Sequence, residues 1–567
     1  MSQSQNFSLS FQATYTCDVL VIGSGIAGIS AAIAAAKAGK DVILTCAGPL
    51  FSGSSFYPGT WGLGLIGPAD QADEQDLAAT IQSVGCQMAD PDLVATFVHE
   101  INPAIEDVRS RGVRLKEAQD ATQKEFIPCF DHKQRSWHGL TADSMRQVFR
   151  QELDQYGVRI LPHFEALELC KTRHAVHGAI FFAHNDLHYI SSQAVVMATG
   201  GYGGLFQHHL CTEDVTGTGQ ALALAAGASL VNMEFMQVMP GYVSPAPKTI
   251  FNEKTFRWTH MTTEDGVPLF SSDAEEPALF ATSAEPFSLP DLLALRSTHG
   301  PFTTRLASKT VDLAIARACV QNPAGVRVTY DDNLATNPPE FVKTYFDWLT
   351  STRGLTVHDA IYIAPFAHAA NGGIMIDRTG FTGVAGLYAA GEGTGGMHGA
   401  DRIGGLSTAN GLVFGRIAGQ SAAASCGSEG TMSHTVPQLY TLNIADTANI
   451  TANRHDYTVL LEELQRTMTN SLIINRCEEG LAQALDTLDK LEQRMQSSII
   501  DLEDAQSVAH VKRFQSQLTT ARAIVMAARM RRESRGSHYR CDFPEESATF
   551  AKPIRVSMMC KGTLELS

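Results

Sequence analysis

The run Cys17-Asp18-Val19-Leu20-Val21-Ile22 is apolar enough for a strand buried on both faces, and Gly23-Ser24-Gly25-Ile26-Ala27-Gly28 follows it without a spacer. An alanine-rich stretch from Ile29 to Ala38 has helical composition, Gly39 ends it, and Asp41 to Thr45 reads as a second strand. Strand, G-x-G-x-x-G turn and helix in that order point to a parallel α/β sheet whose first turn holds a dinucleotide pyrophosphate. There Gly23 makes the tight turn, Gly25 lets the phosphates approach and Gly28 lets helix and strand pack. The helix N-terminus adds N–H groups and the positive end of its dipole. The second strand closes on Leu44-Thr45-Cys46 without the acid that commonly binds the ribose, which leaves Thr45 or backbone groups for that contact.

Two later stretches extend the pattern. Ala194-Val195-Val196-Met197-Ala198-Thr199-Gly200-Gly201 is a hydrophobic strand ending in Ala-Thr-Gly, a second dinucleotide-domain marker that adds Thr199 and Gly200 to the cofactor contacts. Ser52 to Gly62 is a loop of small residues able to wrap a pyrophosphate and reach a flat ring, with Ser54 and Ser55 at its centre. Between Phe366 and Gly415 a strand delivers the chain to Gly391 and Glu392, followed by glycines at 393, 395, 396, 399, 404 and 405. Such a run lets backbone lie against a flat ligand, and it carries His368, His398 and Arg402, polar groups that a purely structural loop does not need.

A chain of 567 residues has material for two or three domains. Its net charge of −16 argues against a general nucleic-acid or anionic-membrane binder. The eleven cysteines are scattered with no CxxC, so no metal site is expected, and reduced thiols favour a cytoplasmic location. The first fifteen residues lack the features of a secretory signal and no run of eighteen apolar residues occurs, so no transmembrane segment is expected. Helical patterning is expected over 70–118, at the end of 125–157, over Lys309 to Cys319 and Phe341 to Thr352, and over 456–468, 474–498 and 501–533. Residues 241–300 lack periodicity and read as an inserted lid with long loops, and Cys426 to His434 as a linker.

GSGIAG, VVMATGGYG, NMEFMQ, HAANGGI, GLYAAGEGTGGMHGADRIGG and ESRGSHYRCDFP stand in the order found in one family. Apart from 245–300, the chain resembles the fumarate reductase/succinate dehydrogenase flavoproteins, a family that includes L-aspartate oxidase. The resemblance implies an α/β, Rossmann-like two-dinucleotide-binding FAD domain (1–240 and 358–426) with an inserted capping domain (241–357) and a C-terminal helical domain (435–567). The implied partners are a small carboxylic-acid substrate and a separate electron-transfer subunit, iron–sulphur or flavin. The implied location is cytoplasmic or peripheral to a membrane-bound complex.

The resemblance also assigns roles. His368 and Arg402 would bind the substrate carboxylate, Glu392 and Ser407 would contact the flavin, and His398 would support the loop. Four positions depart from the family. Gly53-Ser54-Ser55 replaces the segment with a flavin-linked histidine, which implies noncovalent FAD. Met239 replaces a substrate-binding histidine, and a thioether donates no hydrogen bond to a carboxylate. The capping-region T-E-x-x-R-G-E-G segment survives only as Thr263-Glu264. The proton-transferring arginine aligns with Lys309, which is favoured over Arg305 four residues earlier. The expected activity is FAD-dependent oxidoreduction of a C–C bond next to a carboxylate, fumarate reductase-like, with hydride passing from flavin N5 to an α,β-unsaturated acid. The alternatives are L-aspartate oxidase-like amino-acid oxidation or a diverged electron-transfer flavoprotein subunit.

Overall fold

The computed structural model describes residues 5–172, 175–270, 287–427, 439–444, 454–497, 505–559 and 562–567. Its central sheet has seven strands. Six run in the order Arg159–Pro162, Val42–Cys46, Ala13–Ile22, Asp186–Met197, Val176–Ala183 and Glu165–Lys171, and Leu387–Ala389 pairs with the far end of Asp186–Met197. The pairings among the first four and with Leu387–Ala389 are parallel, and the last two are antiparallel. Val19, Leu20, Val21, Val42, Ile43, Leu44 and Val195 are fully or almost fully buried, as an apolar run in a covered parallel sheet requires.

Helix Ile26–Lys37 starts at the first glycine turn, and helix Leu406–Ser425 lies directly on it. A Cβ at Gly415 would stand 2.4 Å from Ala27 O, and one at Gly419 would stand 2.2 Å from Ala31 O. Glycine one helical turn apart on one helix and alanine on the other therefore bring residues 406–425 against the first βα unit. The sequence far from the N-terminus is thereby made part of the same cofactor layer.

A four-stranded antiparallel sheet, ordered Met236–Ser244, Ile361–Ala370, Val326–Tyr330 and Thr259–Thr262, carries the second half of the site. Met236–Ser244 runs across the expected division at 240/241, because its pairing with Ile361–Ala370 is continuous there except for register shifts at Gln237/Val238 and Tyr242/Ser244. The expected helical stretch over 70–118 is two helices, Gln71–Val84 and Pro91–Ser110. Gly85 ends the first, and Cys86 and Gln87 turn with positive φ. Asp90 then caps the second by accepting from the N–H groups of Asp92 and Leu93 ahead of a proline at the first helical position. Within 241–300, helix Leu289–Arg296 and strand Thr259–Thr262 are formed, and 271–286 lie outside the described residues.

Helices Arg454–Leu472, Glu478–Ser497 and Ala505–Met530 follow. Residues 428–434 of the expected linker, and 501–504 of the last expected helix, lie outside the described residues. Within the charged segment after Met530, Arg531, Glu533, Arg535, His538 and Arg540 are buried. Arg531 pairs with Glu234 at 2.6 Å and Glu533 at 2.8 Å, Arg535 pairs with Glu533 at 2.7 Å, and Arg476 donates to the Glu234 carbonyl at 2.7 Å. These charges fasten the C-terminal residues to the strand region that leads to Gln237. No helix among the described residues is long and apolar enough to cross a membrane.

Candidate active site

A cavity of about 700 Å³ runs along the carboxyl ends of the parallel strands, lined by Gly23, Cys46, Ala198 and Ala390 from four of them. This is where open α/β sheets bind ligands. Three helix N-termini open on it. They are those of Ile26–Lys37 through Gly25 and Ile26, of Thr218–Ala226 through Thr218, and of Leu406–Ser425 through Gly405, Ser407 and Thr408. None of the three has a side-chain cap from its own N-cap glycine, so N–H groups and dipole ends remain for an anion.

The residues present fit FAD. Gly28 seats the helix on the turn, since a Cβ there would lie 1.8 Å from Gly23 O, and a Cβ on Gly23 would lie 2.2 Å from Ala198 O. Around the cavity wall Ser24 Oγ, Ser54 Oγ, Thr199 Oγ1 and Asp214 Oδ1 are buried with no hydrogen-bond partner. Buried polar atoms without partners on residues that line one cavity are what a polar ligand with a phosphate backbone would satisfy. The Ser52 to Gly62 loop meets the start of the first helix, where Ser55 Oγ accepts from Ile26 N at 3.1 Å. Gly200 also lines the cavity.

At the other end stand His368, Glu392, Arg402 and Ser407. His368 comes from Ile361–Ala370, Glu392 and Arg402 from the glycine-rich stretch, and Ser407 from the first turn of the helix beyond it. Arg402 is 8% exposed, and its Nε donates to Gln237 Oε1 at 2.9 Å. Among the described residues no carboxylate lies within ion-pair distance of it. Burial lowers its pKa, against which the charge of Glu392 works. Burial and the neighbouring guanidinium hold His368 neutral, its pKa down to about 3, and its Nδ1 has no partner. Glu392 accepts from Ala370 N at 3.0 Å, and burial pushes its pKa up. A guanidinium without a described acidic partner on the same cavity wall as a neutral imidazole is a grip for one carboxylate.

Three expected residues stand elsewhere. Thr45 is fully buried, donates from Oγ1 to Val21 O at 3.3 Å and does not line the cavity. The carboxylate found instead beside that strand end is Asp214, whose Oδ2 would lie 3.7 Å from a Cβ on Gly48. Lys309, favoured from alignment, opens helix Lys309–Gln321 behind Ser308 and does not reach the cavity. Arg305 does not line it either, but Nε donates to Asp401 Oδ2 at 2.9 Å and the guanidinium stacks over Phe130 at 5.0 Å. Asp401 also accepts from Thr303 Oγ1 at 2.7 Å, and burial pushes its carboxyl up to about 6. His398 is buried and does not line the cavity, and its Nδ1 has no hydrogen-bond partner.

Sequence reasoning passed over Gln237, Asp214, Asp401 and Cys129. Gln237 and Asp401 sit inside the NMEFMQ and HGADRIGG segments, so the signal was present. Cys129 reaches the cavity from a loop, where Gly300 N donates to its Sγ at 3.2 Å. Tyr457 and Arg513 of the C-terminal helices also line the far end, with Arg513 held by Glu165, and nothing local in the sequence marks them.

A family model described as FAD binding domain matches residues 18–257 and 332–408, and a second, fumarate reductase flavoprotein C-term, matches 461–560. The L-aspartate oxidase of Mycobacterium leprae is 27% identical over 545 residues, covering 95% of this chain and 94% of that protein. A fumarate reductase (CoM/CoB) polypeptide of Methanothermobacter marburgensis is 26% identical over 568 residues, covering 95% and 97%. An E. coli quinol fumarate reductase FrdA chain superimposes with a TM-score of 0.76 at 22% identity, covering 98% of this chain and 97% of that one. Mycobacterium smegmatis Sdh1 in complex with UQ1 gives 0.74 at 23%, covering 98% and 94%. With the FAD-binding match spanning more than half of the sequence and the C-terminal match following it, the chain belongs to the FAD-dependent fumarate reductase/succinate dehydrogenase flavoprotein family, which includes L-aspartate oxidase.

Proposed function

We propose that this oxidoreductase acts on the carbon–carbon bond next to a carboxylate, in the manner of a fumarate reductase, with FAD held noncovalently. The observation that carries the reading is Arg402: buried, on the cavity wall, oriented by Gln237 and without an acidic partner among the described residues. Gly23, Gly25, Ser54, Thr199 and Gly200 would hold the pyrophosphate half of FAD, and Glu392, Gly405 and Ser407 the ring half. FAD, once reduced by a separate donor, would supply the two-electron chemistry, a hydride to one carbon of a double bond while a proton reaches the other.

The chain's own residues set up that exchange. Arg402 grips the carboxylate and draws electron density toward it, which polarises the adjacent double bond and stabilises enolate charge. Neutral His368 offers one N–H donor without competing charge. Neither Arg305 nor Lys309 lines the cavity, and Arg305 is the better candidate for proton delivery because its Nε donates to Asp401, the residue before Arg402, a link that Lys309 lacks. The electrons come from a separate donor, an electron-transfer protein or a quinone. The second reading is oxidation of an α-amino acid, favoured by the L-aspartate oxidases among the relatives.

The test is an anaerobic titration of the bound flavin's absorption spectrum with carboxylic acids, in the wild type and in Arg402→Ala. A saturable shift that vanishes in the variant supports carboxylate binding at this site. No shift with any acid rejects it, and reduction of the flavin by L-aspartate but by no simple carboxylate selects the second reading.

A further inference from the structure

Next to the carboxylate grip, part of the cavity wall is apolar. Tyr57, Leu210, Met239 and Ile250 form one packed cluster, and all four line the cavity. Its position is fixed by close contacts. The Met239 methyl would lie 3.0 Å from a Cβ on Gly300, and Cys129 Sγ 3.6 Å from the same atom. Cys129 N in turn would stand 3.1 Å from a Cβ on Gly404, two residues from Arg402. The cluster therefore begins beside the grip.

Fixed positive charge is scarce on this wall. Among the described lining residues only Arg402 and Arg513 are cationic, and Arg513 is committed to Glu165 through Nε and Nη2. From the described part of 241–310 only Ile250, Gly300 and Pro301 reach the cavity. Glu264 lies in an exposed turn and accepts from Asn322 Nδ2 at 3.0 Å, away from the cavity. Among the described residues a ligand's second carboxylate at this cluster would meet a thioether and largely hydrocarbon, losing hydration with no described cation in place of it, whereas an alkyl or aryl group there would be favourably desolvated.

We infer that the substrate is a monocarboxylic acid, a 2-enoate or its saturated counterpart, that carries an apolar substituent in place of a second carboxylate. The inference rests on the carboxylate-binding reading of Arg402 and His368. It is tested by titrating the FAD-bound protein with crotonate, trans-cinnamate, fumarate and succinate and following the flavin absorption. The expected result is a dissociation constant for at least one monocarboxylate ten or more times lower than for fumarate, with Met239→His narrowing that gap by improving fumarate. Fumarate or succinate binding as tightly as the best monocarboxylate overturns the inference and leaves the carboxylate grip intact. A spectrum that none of the four acids perturbs overturns both.

Discussion

Gln237 and Arg402 hold each other twice: the arginine Nε donates to Gln237 Oε1 at 2.9 Å, and Gln237 Nε2 donates to the Arg402 carbonyl at 3.2 Å. The reciprocal pair fixes the guanidinium plane without neutralising it. An aspartate or glutamate in the same place would hold it as firmly but would take up the charge that a substrate carboxylate needs.

Gln237→Glu is therefore expected to retain FAD and weaken acid binding about tenfold or more, equivalent to about 1.4 kcal/mol. Comparing the flavin spectral titrations of the variant and wild type checks this, and unchanged affinity would show that the guanidinium charge is not what binds.

Arg305 and Lys309 are separable. Arg305→Ala should reduce turnover with a viologen donor by about 100-fold or more, the usual scale for losing a proton-transfer group, while acid binding persists. Lys309→Ala should stay within about threefold of the wild type by the same standard. The reverse order would restore the lysine suggested by alignment.

Asp214 lines the cavity beside Gly48, just past the second strand of the dinucleotide unit, and its buried Oδ1 lacks a partner, so it is expected to accept from the ribose of FAD. Asp214→Ala should weaken FAD about tenfold, a loss of about 1.4 kcal/mol, and leave FMN affinity unchanged because FMN has no adenosine. Fluorescence titration of the apoprotein with both flavins distinguishes this from a general loss of fold.

At Gly28 a methyl group would overlap the Gly23 carbonyl at 1.8 Å. Gly28→Ala should cost about 1–3 kcal/mol of stability through backbone displacement, read as a lower melting temperature and loss of bound flavin on gel filtration.

Stability should fall as pH drops from 7.5 to 6. Burial holds His299, His368, His398 and His538 below their ordinary pKa, so each takes up its proton near pH 6.5 in the unfolded chain but stays neutral in the folded one. The unfolded state then binds more protons as pH falls, and folding loses. Asp401, with its carboxyl at about 6, acts in the opposite sense only from pH 6 downward into the usual carboxylate range. Calorimetric melts across that window check the sign, and a melting temperature that rises toward pH 6 would contradict four buried neutral imidazoles.

The first βα unit, the Ala-Thr-Gly turn and the Arg402 loop were readable from sequence because each is contiguous: an apolar run, a glycine spacing and a polar residue within a few positions specify local backbone and its ligand together. Gln237 and Asp401 were legible as letters of those motifs, though not as roles. What tertiary structure alone decided is which side chains meet across long separations. Thr45 is the expected ribose contact in sequence, yet an all-buried strand turns its hydroxyl to Val21, and the carboxylate beside the end of that strand is Asp214, from a loop far along the chain. Lys309 aligns with the expected proton carrier, but the helix it begins takes it away while Arg305 is captured by Asp401, 96 residues on. The character of the distal wall arises in the same way, from Tyr57, Leu210, Met239 and Ile250 packing together from four separate segments. Burial and charge pairing are properties of assembled surfaces, and a linear pattern carries them only where the contacting residues are also neighbours in the chain.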